Sequence, residues 1–160
     1  MPPSPFRIVP FHPELASTFQ AINEEWITSM FQMEDSDRAL LETPQESIVD
    51  RGGFIWFVEH EFLGLIGTCA LVQRDHGAFE LTKMGVLASS RGLKAGEFLL
   101  QAVLQKARDL QLEPVFLLTN SACEAAIHLY RKHGFQDDAG IMRDYAASYE
   151  RCDVAMLWRR

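Results

Sequence analysis

Two short apolar strands enclose the strongest helical pattern in the chain, and this arrangement constrains the fold more than any other feature. Phe79–Val86 is β-prone, and Val115–Thr119 is a compact apolar run opened by Pro114. Between them Gly96, Leu99, Leu100, Val103, Ala107 and Leu110 fall on one helical face. A helix joining two neighbouring strands is a crossover, so these strands should run parallel. Just upstream the hydrophobic period is two. Phe54–Val58 and Leu63–Val72 read as paired strands around a turn at Glu59 to Phe62. That block is an antiparallel meander ending in Phe79–Val86. A meander followed by one crossover predicts a mixed, mostly antiparallel sheet with helices on both faces.

The remaining segments extend this plan. Phe6–Val9 is a short β-prone run stopped by Pro10 and Pro13. Leu15, Phe19, Ile22, Trp26 and Met30 form an apolar stripe at helical spacing, and a second helical stretch covers about 35–42. Pro44 ends it, and Gly52-Gly53 close the region. Asn120 or Ser121 can cap a helix from Cys123 to about His133, and Gly134 suits its C-terminus. Phe135 begins another short strand, and Cys152–Trp158 is the last. The order is β-α-α-β-β-β-α-β-α-β-β, an α/β fold of about seven strands and about four helices. With 160 residues and no Ser/Gly/Pro-rich linker, residues 1–160 read as one domain.

Composition excludes several classes. Apolar residues make up 48% and charged residues 23%, which is globular composition. No apolar run approaches the roughly 20 residues that span a bilayer, and MPPSPFRIVP lacks the pattern of a secretory signal. Cys69, Cys123 and Cys152 are an odd, widely spaced set, which fits reduced thiols in a cytoplasmic protein. A net charge of −7 disfavours nucleic acid and anionic membranes as partners.

The sequence lacks a P-loop, a G-x-G-x-x-G after a strand, and a G-x-S-x-G elbow. His128 and His133 are five apart and the cysteines are scattered, so no metal site is expected. These histidines read as solvated helix residues. One segment is distinctive. The 16 residues between Glu80 and Glu97 contain no carboxylate, but do contain Lys83, Arg91 and Lys94. The run ends at a junction of small residues, Ser89-Ser90-Arg91-Gly92-Leu93-Lys94-Ala95-Gly96. A helix N-terminus offers unpaired N–H groups and the positive end of a dipole, and glycines admit close backbone approach. The segment reads either as a polyphosphate cradle or as an ordinary strand-to-helix turn with a basic face.

Arg91-Gly92-Leu93-Lys94-Ala95-Gly96 resembles the coenzyme A signature [Q/R]-x-x-G-x-[G/A] of the GNAT superfamily of N-acetyltransferases. Arg91 and Gly96 match, and Lys94 stands where that family usually has glycine. Glu80–Val86 is similar to the family's fourth strand. Asn120-Ser-Ala-Cys-Glu-Ala-Ala-Ile-His-Leu-Tyr-Arg-Lys-His-Gly-Phe135 is similar to its N-x(n)-A-x-x-L-Y-x-K-x-G-F segment. Both occur in the family's order and spacing.

The resemblance implies acetyl-CoA as co-substrate and transfer to a primary amine, in a small molecule or a peptide, by direct attack in a ternary complex. The amides of Gly92, Leu93, Lys94, Ala95 and Gly96, with Arg91, would hold the pyrophosphate. The strand edge at Met84, Gly85 and Val86 would pair with the pantetheine arm, and Asn120 would lie near it. Tyr130 matches the tyrosine assigned as acid to the leaving sulfur; otherwise it is a packing aromatic. Glu80 stands 11 positions before Arg91, where some members place a base. On a regular strand it would share a face with Thr82 and Met84. The acceptor wall would include Glu24, Glu25 and Trp26. Residues 24–50 hold eight acids against Arg38 alone, equal to the whole net charge. They would suit a cationic acceptor such as a polyamine, or they are the solvated face of amphipathic helices. The resemblance also implies a homodimer through 141–158. The alternative function is a non-catalytic acyl-CoA-binding or regulatory domain, for which Lys94 is the one argument.

Overall fold

Seven strands form one sheet in the order β1-β2-β3-β4-β5-β7-β6 in a computed structural model describing residues 3–160. β1 (Phe6–Pro10), β2 (Phe54–His60), β3 (Gly64–Gln73) and β4 (Phe79–Val86) are the antiparallel meander read from the period of two. The 15-residue helix α3 (Ala95–Asp109) crosses over to β5 (Val115–Thr119), which pairs parallel to β4. β7 (Val154–Trp158) inserts between β5 and β6 (Phe135–Asp137), antiparallel to both.

Alternation along the strands assigns the two faces. Trp56 and Val58 join Leu99, Leu100 and Val103 in a core beneath α3, which also takes in Tyr130 of α4 (Glu124–Lys132). Ile55 and Phe57 point the other way, into a core with Phe19 and Ile27 of α1 (Ala16–Met30) and Leu41 of α2 (Asp35–Leu41). Phe116 packs on that second face against Ile141 of α5 (Ala139–Tyr145).

The parallel pairing of β4 with β5 covers only Phe79 and Glu80. Past that point the strands part, leaving one backbone edge of β4 free from Thr82 to Val86. A bulge accompanies the split: Ala70 faces Thr82 but Thr68 faces Gly85, so two residues of β4 oppose Cys69. Lys83 in the bulge has φ +52°. The bulge corrects the expectation that Glu80 and Met84 share a face, because Met84 packs with the α3-side core. Elements absent from the sequence reading include a single π-helical turn at Gln45–Val49 and α5, capped by Asp138 accepting from the Ile141 amide. Among the described residues no helix is long and apolar enough to cross a membrane.

Candidate active site

The split between β4 and β5 opens into two connected hollows. A groove of about 440 Å³ runs between β4 and α4, lined by Met84, Gly85, Val86, Arg91, Gly96 and Leu129 among others. A smaller inner cavity of about 50 Å³ is bounded by Thr82, Lys83, Asn120, Tyr149, Arg151 and Cys152 among others. Trp26, Met84, Thr119, Cys123 and Tyr130 line both. Phe31 and Arg151 then connect the cavity to a wide outer groove of about 700 Å³.

Of the candidate coenzyme A residues, Met84, Gly85, Val86, Arg91 and Gly96 line the first groove. Gly92 has φ +87° and Lys94 has φ +65°, so the loop makes two left-handed turns before the helix. Lys94 is the N-cap of α3 and its carbonyl accepts from the Phe98 amide at 3.2 Å. The amides of Ala95, Gly96 and Glu97 precede the first helical hydrogen bond and have no partner within the helix. A Cβ on Gly96 would come no nearer than 3.7 Å to Val86, an ordinary contact, so packing does not require glycine there. Gly92, Leu93 and Lys94 are exposed, whereas Ala95 is buried beneath the turn. Glu97, in the first turn of α3, is held by Lys132 and His133 at 2.7 Å each, which draws its carboxyl down to about 2. His133 is therefore a partner of Glu97 rather than a solvated helix residue.

The free edge at Met84, Gly85 and Val86 forms the wall facing this loop. Gly85 is fixed by packing: a Cβ would collide with Cδ1 of Trp26, whose indole lies on the strand. Trp26 is itself held by its Nε1 donating to Asn23 at 2.8 Å.

Tyr130 is buried at the junction of groove and cavity. Burial pushes its hydroxyl well above the usual tyrosine range, helped by nearby Cys69 and Cys123. Asn120 lines the inner cavity rather than the groove. Its Nδ2 donates to the Arg151 carbonyl at 2.7 Å and its Oδ1 accepts from the Ala122 amide at 2.8 Å. It shapes the turn before α4 and does not supply the cap, since the N-cap residue is Cys123.

Glu80 is only 1% exposed and does not line either hollow. One oxygen pairs with Arg74, and Oε2 has no partner among the described residues. Burial raises its pKa, against the opposing charges of Arg74 and Lys83. A direct proton transfer from an acceptor to Glu80 does not fit this placement, because Thr82 and Tyr149 stand in the cavity wall instead. Glu24 and Glu25 also lie outside the cavity. Glu24 accepts from Gln20 at 2.9 Å, and Glu25 accepts from the Ala88 amide at 2.7 Å, tying α1 to the loop after β4. Of the three expected wall residues only Trp26 lines it.

The sequence reading missed the ionic cluster beside the cavity. Asp37 is completely buried and receives Lys83 Nζ at 2.8 Å and both terminal nitrogens of Arg151, at 2.8 and 2.7 Å. Burial opposes the ionisation of Asp37, but Arg151 and Lys83 outweigh it and hold the carboxyl far below the usual range. Lys83 also donates to the Tyr149 hydroxyl at 3.1 Å, and Glu34 accepts from Arg151 at 3.1 Å. Lys83 is therefore no part of a phosphate cradle. Among the described residues no group of three or more His, Cys, Asp or Glu side chains is placed to hold a metal.

Fold and site together define an acetyltransferase architecture: a split mixed sheet with a groove ending at a helix N-terminus. The chain matches the acetyltransferase (GNAT) family over residues 16–135 and belongs to it. It is similar in structure to a GNAT-family acetyltransferase from Staphylococcus aureus Mu50. That pair has TM-score 0.81 and 19% identity, over 96% of this chain and 98% of the other. An acetyltransferase from Streptococcus agalactiae 2603 gives TM-score 0.77 and 14% identity, over 98% and 99%. The spermidine N-acetyltransferase from Vibrio cholerae, in complex with CoA and spermine, gives TM-score 0.72 and 17% identity, over 97% and 95%. A comparison with curated protein sequences finds no match.

Proposed function

We propose that this protein transfers the acetyl group of acetyl-CoA to a primary amine, with both substrates bound at once. The observation that carries this reading is the sharing of Tyr130, Met84, Thr119 and Cys123 between groove and cavity. Two molecules entering from opposite sides would meet there, and holding reactants in contact accelerates a two-substrate reaction strongly. The groove suits the donor: unpaired amides of residues 95–97 for the pyrophosphate, with Arg91 beside them, and the free β4 edge for the pantetheine arm. Bound acetyl-CoA would supply a thioester whose C–S bond breaks as the amine nitrogen bonds to the acetyl carbon, the electron pair leaving on sulfur.

Tyr130 keeps its proton at neutral pH, because burial raises its pKa. Its hydroxyl can therefore donate to the departing sulfur and be reprotonated from solvent. The amine's proton leaves through water, since Glu80 does not reach the cavity. Lys94, the one argument for a non-catalytic acyl-CoA sensor, occupies a left-handed turn that glycine would also take. It therefore gives that second reading no support. Cys69, Cys123 and Cys152 are free thiols, which suits a reducing compartment such as the cytoplasm.

The test is release of free thiol from acetyl-CoA across a panel of primary amines. Amine-dependent release is expected, with an acetylated product of matching mass. Tight acetyl-CoA binding without release for every amine would overturn the proposal in favour of the sensor.

A further inference from the structure

The walls of the inner cavity carry two cations and, among the described residues, no Asp or Glu. Lys83 and Arg151 line it, while their shared counter-ion Asp37 is buried behind them. Glu34, the second partner of Arg151, belongs to the outer groove. The two cations thus face the cavity, while their carboxylate partners, Asp37 behind them and Glu34 on the outer-groove side of Arg151, stay out of its wall. The guanidinium is also fixed in place, lying 5.5 Å from the Phe31 ring centroid and 5.0 Å from that of Tyr149. A planar donor held this way suits a carboxylate.

Three of the acidic residues that suggested a cationic acceptor make their contacts away from the cavity. Glu25 holds the Ala88 amide, Glu24 holds Gln20, and Asp35 pairs with Arg38. An ammonium group entering beside Lys83 and Arg151 meets like charge in a poorly solvated place. It is repelled, or it sheds its proton, which is the form acyl transfer needs. A carboxylate on the same molecule is attracted by the same two groups.

We infer that the acceptor is an amine with a carboxylate close to its amino group, an amino acid or amino-acid-like compound, and that Arg151 and Lys83 bind that carboxylate. This rests on the proposed acetyl transfer. The inner cavity, at about 50 Å³, is small, so the remainder of such a molecule would extend past Phe31 into the outer groove.

The experiment compares matched pairs on the wild-type protein at saturating acetyl-CoA: phenylalanine with phenethylamine, and methionine with 3-methylthiopropylamine. Spermidine is a separate arm. We expect at least one acid to exceed its decarboxylated partner by tenfold or more in kcat/KM. Equal or better turnover of the simple amines, or of spermidine, overturns the inference while leaving acetyl transfer intact. If no amine releases thiol, acetyl transfer fails, and calorimetry on the CoA-loaded protein decides this inference alone. Tighter binding of the acids by tenfold supports it; equal or absent binding overturns it.

Arg151→Gln should raise KM for the acid about ten- to a hundredfold, leave the Kd for CoA unchanged, and bring the acid/amine ratio towards one. Arg151→Lys should recover part of the ratio. A purely structural role for Arg151 would depress acid and amine alike. Should Arg151→Gln not fold, the matched pairs still decide.

Discussion

Lys83 Nζ lies 2.8 Å from Asp37 Oδ1, across 46 residues of sequence, with both side chains buried. The contact joins the bulge of β4 to the start of α2, and Arg151 joins the loop before β7 to the same carboxylate. One buried anion therefore ties together three segments around the cavity. Removing it leaves two cations without their shared partner. Asp37→Asn should destabilise the fold by about 3–5 kcal/mol in denaturant unfolding, the usual cost of breaking a buried pair on one side. A loss under about 1 kcal/mol would mean that water reaches the cluster.

The same residue sets an acid limb. Its folded pKa is depressed, so its stabilisation is fully present above the unfolded value of about 3.9 and is lost as pH falls through the native value. The wild-type Tm should therefore fall steadily on acidification from about pH 5 to pH 2. Asp37→Asn should start lower and show a shallower slope over that range. Parallel slopes in the two proteins would assign the acid limb to other carboxylates.

Tyr130 offers the most direct test of the chemistry. Tyr130→Phe removes one hydroxyl, whose raised pKa reflects burial and neighbouring thiols rather than a hydrogen-bonded partner. Stability should change by less than about 1 kcal/mol. If the hydroxyl protonates the leaving sulfur, kcat should fall about a hundred- to ten-thousandfold, with the acetyl-CoA Kd within about twofold. Because burial keeps Tyr130 protonated, the wild-type rate should not fall below about pH 10 through this group. A kcat loss under threefold in Tyr130→Phe would leave it as a packing aromatic.

Most of the architecture was legible because period and punctuation agree locally with the final contacts. Phe54–Val58, with Ile55 and Phe57 on one face and Trp56 and Val58 on the other, reads directly as a strand covered on both sides. The motif of 91–96 and Tyr130 were legible through resemblance, and Arg91 and Gly96 line the same groove as Tyr130. What escaped has a different physical character. α5 is seven residues long, too short for a stripe, and only the Asp138 cap announced it. The bulge at Lys83 puts a lysine at positive φ, which no residue preference signals, and it moves Met84 away from the Glu80 face. The Asp37–Lys83–Arg151 cluster joins charges far apart in sequence. Counting the acids of 24–50 along the chain therefore could not show that Asp37 and Glu34 pair with Lys83 and Arg151.

Glu80 illustrates the consequence. Its carboxylate is buried against Arg74, which also donates to Ser148 at 2.9 Å and lies 5.1 Å from the Tyr145 ring centroid. That is a bracket between β4 and α5, outside the cavity wall. Glu80→Gln should lower stability by about 1–3 kcal/mol, because Arg74 loses its partner but retains some access to water. It should leave the shape of the pH–rate profile unchanged. Loss of the acid limb of that profile in Glu80→Gln, with the fold intact, would restore Glu80 as a base acting through Thr82 or Tyr149.

Lys94 is the departure from the coenzyme A motif, and its geometry makes two opposed predictions for one substitution. At φ +65° a lysine carries the steric cost of the left-handed region, on the order of 1–2 kcal/mol, which glycine avoids. Glycine loses more chain entropy on folding, about 0.5–1 kcal/mol, so the gains partly cancel. Lys94→Gly should therefore be more stable by roughly 0.5–1 kcal/mol. The same change removes an exposed cation beside the amides that would face the pyrophosphate. The Kd for acetyl-CoA should rise several-fold at low salt, and the two proteins should converge near 1 M salt, where screening acts within about 3 Å. A variant that is more stable and binds equally well at every salt concentration would show that Lys94 serves neither the fold nor the cofactor.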